Sequence, residues 1–171
     1  MENNFFYIEQ DSNNCLDKKQ FKLDLVYLKM AKEWSTNSHC KRSQVGCLVV
    51  KDKTIISDGY NGTPTGFPNI CENEINETLP YVLHAEANAI TKLAKNTGNS
   101  HGSTMYVTLS PCYDCSKLII QSGIKRIVFC EFYRKTDSLQ LLNQAGIEIV
   151  YINLHNPSNQ ELDGKEHSRV S

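Results

Sequence analysis

Two short clusters far apart in the chain, His84-Ala85-Glu86 and Pro111-Cys112-Tyr113-Asp114-Cys115, place the tightest demand on how it folds. Cysteines spaced C-x-x-C can both face one metal ion, and a histidine brought to the same point supplies a third ligand. Zinc suits such a His/Cys/Cys set. A structural zinc site closes with a fourth protein ligand, whereas a catalytic one leaves that position to water, and here the motif supplies three. Taken singly, C-x-x-C reads equally as a redox pair, and a lone histidine as a packed or surface residue. Their order, with a glutamate two residues after the histidine and a proline before the first cysteine, makes coincidence a poor explanation. Residues i and i+2 do not share a helix face, so His84 and Glu86 cannot both be mid-helix ligands. The consistent arrangement puts His84 at a helix start and sends Glu86 past the metal as an acid/base group. The plainer reading of Glu86 is a solvated carboxylate favoured there by the helix dipole.

The surrounding pattern provides elements to carry these residues. Phe21, Leu25, Leu28 and Ala31 recur near the helical period, which predicts a helix to about Trp34. Residues 45–50 form an apolar run suited to a buried strand. Lys51-Asp52-Lys53 is a tight turn, and residues 54–59 return as the second strand of a hairpin. A loop punctuated by glycine and proline, residues 59–66, leads into irregular chain to about Pro80. Residues 84–95 read as a helix, 105–109 as a strand, and 113–121 as a helix stopped by Gly123. Residues 126–130 are a strand, 136–145 a helix stopped by Gly146, and 147–152 a fifth strand. The alternation predicts one α/β layered domain over residues 21–152. It lies between a loosely held polar leader, 1–20, and a polar C-terminal tail, 153–171.

Seven cysteines, an odd number, with no export signal in the polar start Met1-Glu2-Asn3-Asn4, read as reduced thiols in a cytosol-like, cytoplasmic setting. Cys15, Cys47 and Cys130 are read as small hydrophobes. The formal net charge is −1, which argues against a partner made of nucleic-acid polymer, since that affinity comes from cations displacing counterions along phosphates. A small basic pocket for one mononucleotide stays open. The chain's 171 residues can bury a core without disulfide staples, and no run approaches the roughly 18 apolar residues of a membrane span.

His-x-Glu with Pro-Cys-x-x-Cys resembles the signature of the zinc-dependent nucleoside and nucleotide deaminases. The likeness extends to Ser43-Gln44-Val45-Gly46, Gly59-Tyr60-Asn61-Gly62-Thr63-Pro64, His84-Ala85-Glu86-Ala87-Asn88-Ala89-Ile90, Met105-Tyr106-Val107-Thr108-Leu109-Ser110 and Ile119-Ile120-Gln121-Ser122-Gly123. These stretches, over about residues 22–152, are similar to the deoxycytidylate deaminase branch. The resemblance implies a three-layer fold with a mixed five-stranded sheet flanked by helices. It implies hydrolysis of dCMP to dUMP and ammonia, with dUMP supplied for thymidylate synthesis. His84, Cys112 and Cys115 are the expected ligands of one catalytic Zn2+. Glu86 is the catalytic residue, taking the proton of the attacking water, delivering it to N3 and protonating the departing amine.

By the same resemblance, Asn61 contacts the sugar or base and the backbone near Ala85 the pyrimidine edge. Arg42, Tyr133 and Arg134 lie near the phosphate or ring, an arginine suiting phosphate by its fork of donors. The neighbouring Lys135 reads equally as a solvated turn residue. Tyr60, Asn61 and Gly62 are expected at a regulatory site activated by dCTP and inhibited by dTTP, with Mg2+ accompanying a triphosphate, in a homohexamer. Cys40 and Cys71 fall near positions that hold a second, structural zinc in some relatives. This chain offers no obvious third and fourth ligand there, so one zinc is expected.

Other readings stand beside this one: a bifunctional dCMP/dCTP deaminase, a deaminase of free nucleosides or of polymers, or a catalytically inactive zinc-containing module kept for nucleotide sensing or assembly. Glu86 discriminates the last, because a scaffold has no chemical need for it.

Overall fold

The structure is a computed structural model describing residues 7–95, 98–134 and 137–160. In chain order its elements are β1 (Ile8–Glu9), α1 (Lys18–Ser35), β2 (Gly46–Lys51), β3 (Thr54–Tyr60), α2 (Ala85–Leu93), β4 (Thr104–Leu109), α3 (Tyr113–Gln121), β5 (Arg126–Glu131), α4 (Asp137–Gln144), β6 (Glu148–Tyr151) and α5 (Pro157–Gln160). They form an α/β fold around one mixed sheet of order β1-β6-β5-β4-β2-β3. The four strands from β1 to β4 in that order run parallel, and β2 is antiparallel to both β4 and β3.

The sheet has six strands where the sequence predicts five. The extra one comes from the expected leader, where Ile8 pairs with Val150 and Glu9 with Tyr151. A two-residue strand carries no period to read. The leader is also tied to the tail, because the buried Asn159 accepts the Ser12 N–H at 3.1 Å and donates to the Asn153 carbonyl at 2.8 Å. Helix α1 begins before Phe21 because the Asp17 carboxylate accepts the N–H groups of Lys19 and Gln20. The β2–β3 hairpin turns on Asp52 and Lys53, both at positive φ (50° and 62°), the conformation that a two-residue type I′ turn requires.

Alternation along the strands divides the core in two. Cys47, Val49, Met105, Val107, Ile127, Phe129 and Ile149 face α2, α3 and α4. Leu48, Val50, Tyr106, Val128 and Val150 face Phe21, Leu25, Leu28 and Ala31 of α1. A sheet covered on both faces explains why its strands read as continuous apolar runs. Two glycines set how closely the helices approach. A Cβ on Gly46 would clash with the Ala31 carbonyl of α1, and one on Gly59 with the Ala85 carbonyl at the start of α2.

At the N-terminal end of β5, the fully buried Asp24 of α1 receives two donors from Arg126 (2.9 and 2.7 Å) and the Tyr106 hydroxyl (2.7 Å). Three elements are thereby joined at the base of the sheet. No helix among the described residues is long and apolar enough to cross a membrane.

Candidate metal centre and its cavity

The two motif clusters meet beyond the opposite end of the sheet, where α2 and α3 begin. His84 is the N-cap of α2, in extended conformation (φ −73°, ψ 156°), while Glu86 lies inside the first turn. That break in conformation lets residues two apart address one cavity. The approach of His84 is fixed by Gly62 and Leu83, which exchange N–H···O bonds of 3.0 and 2.8 Å. Cys112 is likewise the N-cap of α3, its sulfur accepting the Cys115 N–H at 3.5 Å. The His84 Nδ1 stands 3.4 Å from the Cys112 sulfur and 3.5 Å from that of Cys115.

All three donor atoms lie within 4.8 Å of one another, and they form the one cluster of three or more metal-capable side chains among the described residues. Tetrahedral zinc, with N at about 2.0 Å and S at about 2.3 Å, sets N and S about 3.5 Å apart, so the donors fit that ion in kind and spacing. Three ligands leave the fourth position to the cavity.

The electrostatics agree with this donor chemistry. Cys112 is drawn down to about 4, first by its hydrogen bond with Cys115 and further by His84 and the Cys115 N–H. The same bond and burial raise Cys115, and the bond to Cys112 raises His84. These shifts suit Cys112 to thiolate ligation, on a helix N-terminus that favours negative charge. Glu86 is 4% exposed, and burial above all holds its carboxyl above the usual carboxylate range.

His84, Glu86 and Cys112 floor a cavity of about 330 Å³, with Cys115 buried behind them. Asn61, Ala85, Arg42, Tyr133 and Arg134 all line it as well. Lys135 lies outside the described residues. Asn61 already uses its amide on the backbone, accepting the Val45 N–H at 2.8 Å and donating to the Ser43 carbonyl at 2.8 Å. It therefore builds the wall that it also presents. Sequence reasoning missed several lining residues, among them Glu72, Thr78, Ser110 and Phe132. Ser110 accepts the Tyr133 N–H at 2.8 Å, and Phe132 meets Phe129 edge-on and packs at a tilt against Tyr7 and Tyr151. The only available signal was that Ser110 directly precedes the Pro-Cys motif.

Cys40 and Cys71 require a correction. Rather than standing as reduced thiols, they are joined by a disulfide, and the other five cysteines are free. Sequence spacing gives no hint of this, because Cys71 returns to Cys40 only through the irregular chain after β3. A second cavity, of about 400 Å³, opens behind that chain and is lined by Tyr60, Gly62, Thr63, Asn88, Lys92 and Lys95 among others. Of the three residues expected at a regulatory site, Tyr60 and Gly62 face this second cavity, and Asn61 faces the first.

Residues 22–131 match the family profile described as the cytidine and deoxycytidylate deaminase zinc-binding region. The chain is similar to the deoxycytidylate deaminase of Enterobacteria phage T4, 36% identical over 158 residues, covering 67% of this chain and 82% of that protein. It is 42% identical over 118 residues to the human deoxycytidylate deaminase, covering 61% of this chain and 65% of the human protein. Among solved structures, the dCMP deaminase of cyanophage S-TIM5 in complex with dCMP and dUMP superposes with a TM-score of 0.74 at 43% identity. That match covers 80% of this chain and 99% of the phage chain.

Proposed function

The chain belongs to the cytidine and deoxycytidylate deaminase family, and from that premise we propose that it hydrolyses dCMP to dUMP and ammonia. The observation that carries the reading is the convergence of Glu86 with the His84/Cys112/Cys115 donor set on one cavity floor, beneath a rim holding Arg42, Tyr133 and Arg134. The cyanophage relative, whose structure holds dCMP and dUMP, supports the choice of nucleotide.

His84, Cys112 and Cys115 would hold one Zn2+. When bound, the ion makes a water molecule acidic enough to serve as a nucleophile near neutral pH. Glu86 would take a proton from water as the oxygen adds to C4 of the cytosine and deliver it to N3, then pass the proton of the new C4 hydroxyl to the departing amine, so that ammonia leaves and C4 becomes a carbonyl. Enclosure of Glu86 at the head of α2 holds its carboxylate within reach of both the nucleophile and the ring. Asn61 and the backbone at Ala85 face the sugar and the pyrimidine edge. Arg42, Tyr133 and Arg134 take the phosphate end, where guanidinium forks match phosphate oxygens. The dUMP formed is a precursor for thymidylate synthesis.

Effector control belongs to the same proposal, with dCTP activating, dTTP inhibiting, Mg2+ accompanying the triphosphate and the enzyme assembled as a homohexamer in the cytoplasm. The second cavity supports it by placing Lys92 and Lys95 beside Tyr60 and Gly62. Release of ammonia from dCMP, dCTP, deoxycytidine and a cytosine-containing oligonucleotide tests the reaction, with E86A as control. Turnover of dCMP that is lost in E86A is the expected result. Silence on every substrate from zinc-loaded protein, with dCTP supplied as activator, would overturn it. Titrating dCTP and dTTP into the dCMP assay tests the control, and a hyperbolic rate indifferent to both would remove it.

A further inference from the structure

Glu72 is a half-buried carboxylate in the wall of the catalytic cavity that the proposed reaction does not use. Its Oε1 accepts the backbone N–H groups of Lys41 at 3.0 Å and Arg42 at 3.2 Å. Glu72 also pairs through its backbone with Thr78, and the Thr78 hydroxyl accepts an Nη1 donor from Arg42 at 3.2 Å. Arg42 is thus held at two points, backbone and guanidinium, by one short excursion of chain. The Cys40–Cys71 disulfide fastens the same two stretches beside these bonds.

Arg42 needs such support. It is exposed and lies in chain without regular structure between α1 and β2. An arginine there must surrender its rotamer freedom when it grips an anion, unless the fold has ordered it beforehand. A carboxylate is an unexpected neighbour for an incoming phosphate, and its charge alone would repel one. Its oxygen is instead engaged by two peptide N–H groups, so its contribution is as an acceptor that shapes the loop.

We propose that Glu72 is a positioning residue for substrate recognition, fixing Arg42 at the phosphate end of the cavity before the nucleotide arrives. The inference rests on dCMP being the substrate and adds how the phosphate is read.

Steady-state kinetics on dCMP and on deoxycytidine, which lacks the phosphate, tests it in wild type, E72A, E72Q and T78A, with zinc content and thermal melting measured on each. Glu72→Ala is expected to raise KM for dCMP about tenfold, the scale of a lost hydrogen bond near a charged group, with kcat moved far less. Deoxycytidine should respond much more weakly than dCMP. Glu72→Gln keeps an acceptor oxygen and should restore most of the dCMP affinity. If E72A is too unstable to assay, T78A carries the test through the guanidinium contact, with a KM rise for dCMP of about threefold. An unchanged KM in the assayed variant, an equal loss on both substrates, or E72Q as impaired as E72A would overturn the proposal. Wild type that does not prefer dCMP to deoxycytidine would instead overturn the reading of the phosphate on which it rests.

Discussion

The floor of the first cavity, where we place the reaction, and its rim are held by different means. His84 and Cys112 cap the starts of α2 and α3 and Glu86 and Cys115 stand in their first turns, and both helices pack on the sheet through Ala85, Ala89 and Ile119. Arg42, Asn61, Glu72 and Thr78 lie at or beyond the ends of regular elements, held by a disulfide and a few side chain–backbone bonds. A floor that places reacting atoms gains from rigidity, since small misplacements are costly in rate. A rim that admits and releases a nucleotide can rest on fewer contacts. Damage to the floor should therefore appear in kcat and metal content, and damage to the rim in KM and local stability.

The largest effect is expected from Cys115→Ser, which removes a proposed zinc ligand and should abolish both zinc retention and turnover, read by metal analysis and ammonia release. Glu86→Ala should lower kcat by about 10²–10⁴-fold while zinc stays bound, separating proton transfer from metal binding within the floor. Gly59→Ala pushes the first turn of α2 away from β3 and should cost roughly 10²-fold in kcat, because it displaces His84 and Glu86 together. A value near wild type would show that the floor tolerates more movement than its packing suggests. Arg42→Ala should act on the rim, raising KM for dCMP by about 10-fold with kcat little changed. The smallest effect on activity should come from Cys71→Ser. Its loss is in stability, about 3–4 kcal/mol for a bridge spanning 31 residues, read by denaturant unfolding of oxidised wild type and variant.

The same division explains what could be read before the structure was known. The floor was legible because its residue types are chemically scarce and their spacing is local. His84 at a helix start and Glu86 beyond it follow from two residues that cannot share a face. The core strands were legible because double burial makes them uniformly apolar. The rim was not, because its order is long-range. Glu72 and Thr78 sit in irregular chain with no period, and their partners at Lys41 and Arg42 are distant in sequence. The Cys40–Cys71 pairing cannot be deduced from spacing. The family resemblance makes Asn61 a substrate contact, but nothing in the sequence shows that its amide also holds Ser43 and Val45. The Asp17 cap and the β1 strand were missed at the edges, where a single side chain or two backbone pairs set the boundary.

The buried Asp24–Arg126–Tyr106 junction has a consequence for how the molecule opens. It ties α1 to β4 and β5 at the base of the sheet, while the other end of α1 lies against Gly46 beside the cavity. With both ends of the helix anchored, separating α1 from the sheet breaks the bonds of Asp24 to Arg126 and Tyr106 and exposes the packed apolar face together. Amide protons in β4 and β5 should therefore exchange with solvent only through whole-molecule unfolding. Those in residues 62–83 should exchange through small local openings. Hydrogen exchange would then divide the chain into a slow frame and a fast threshold, with the reacting groups on the slow side of that line.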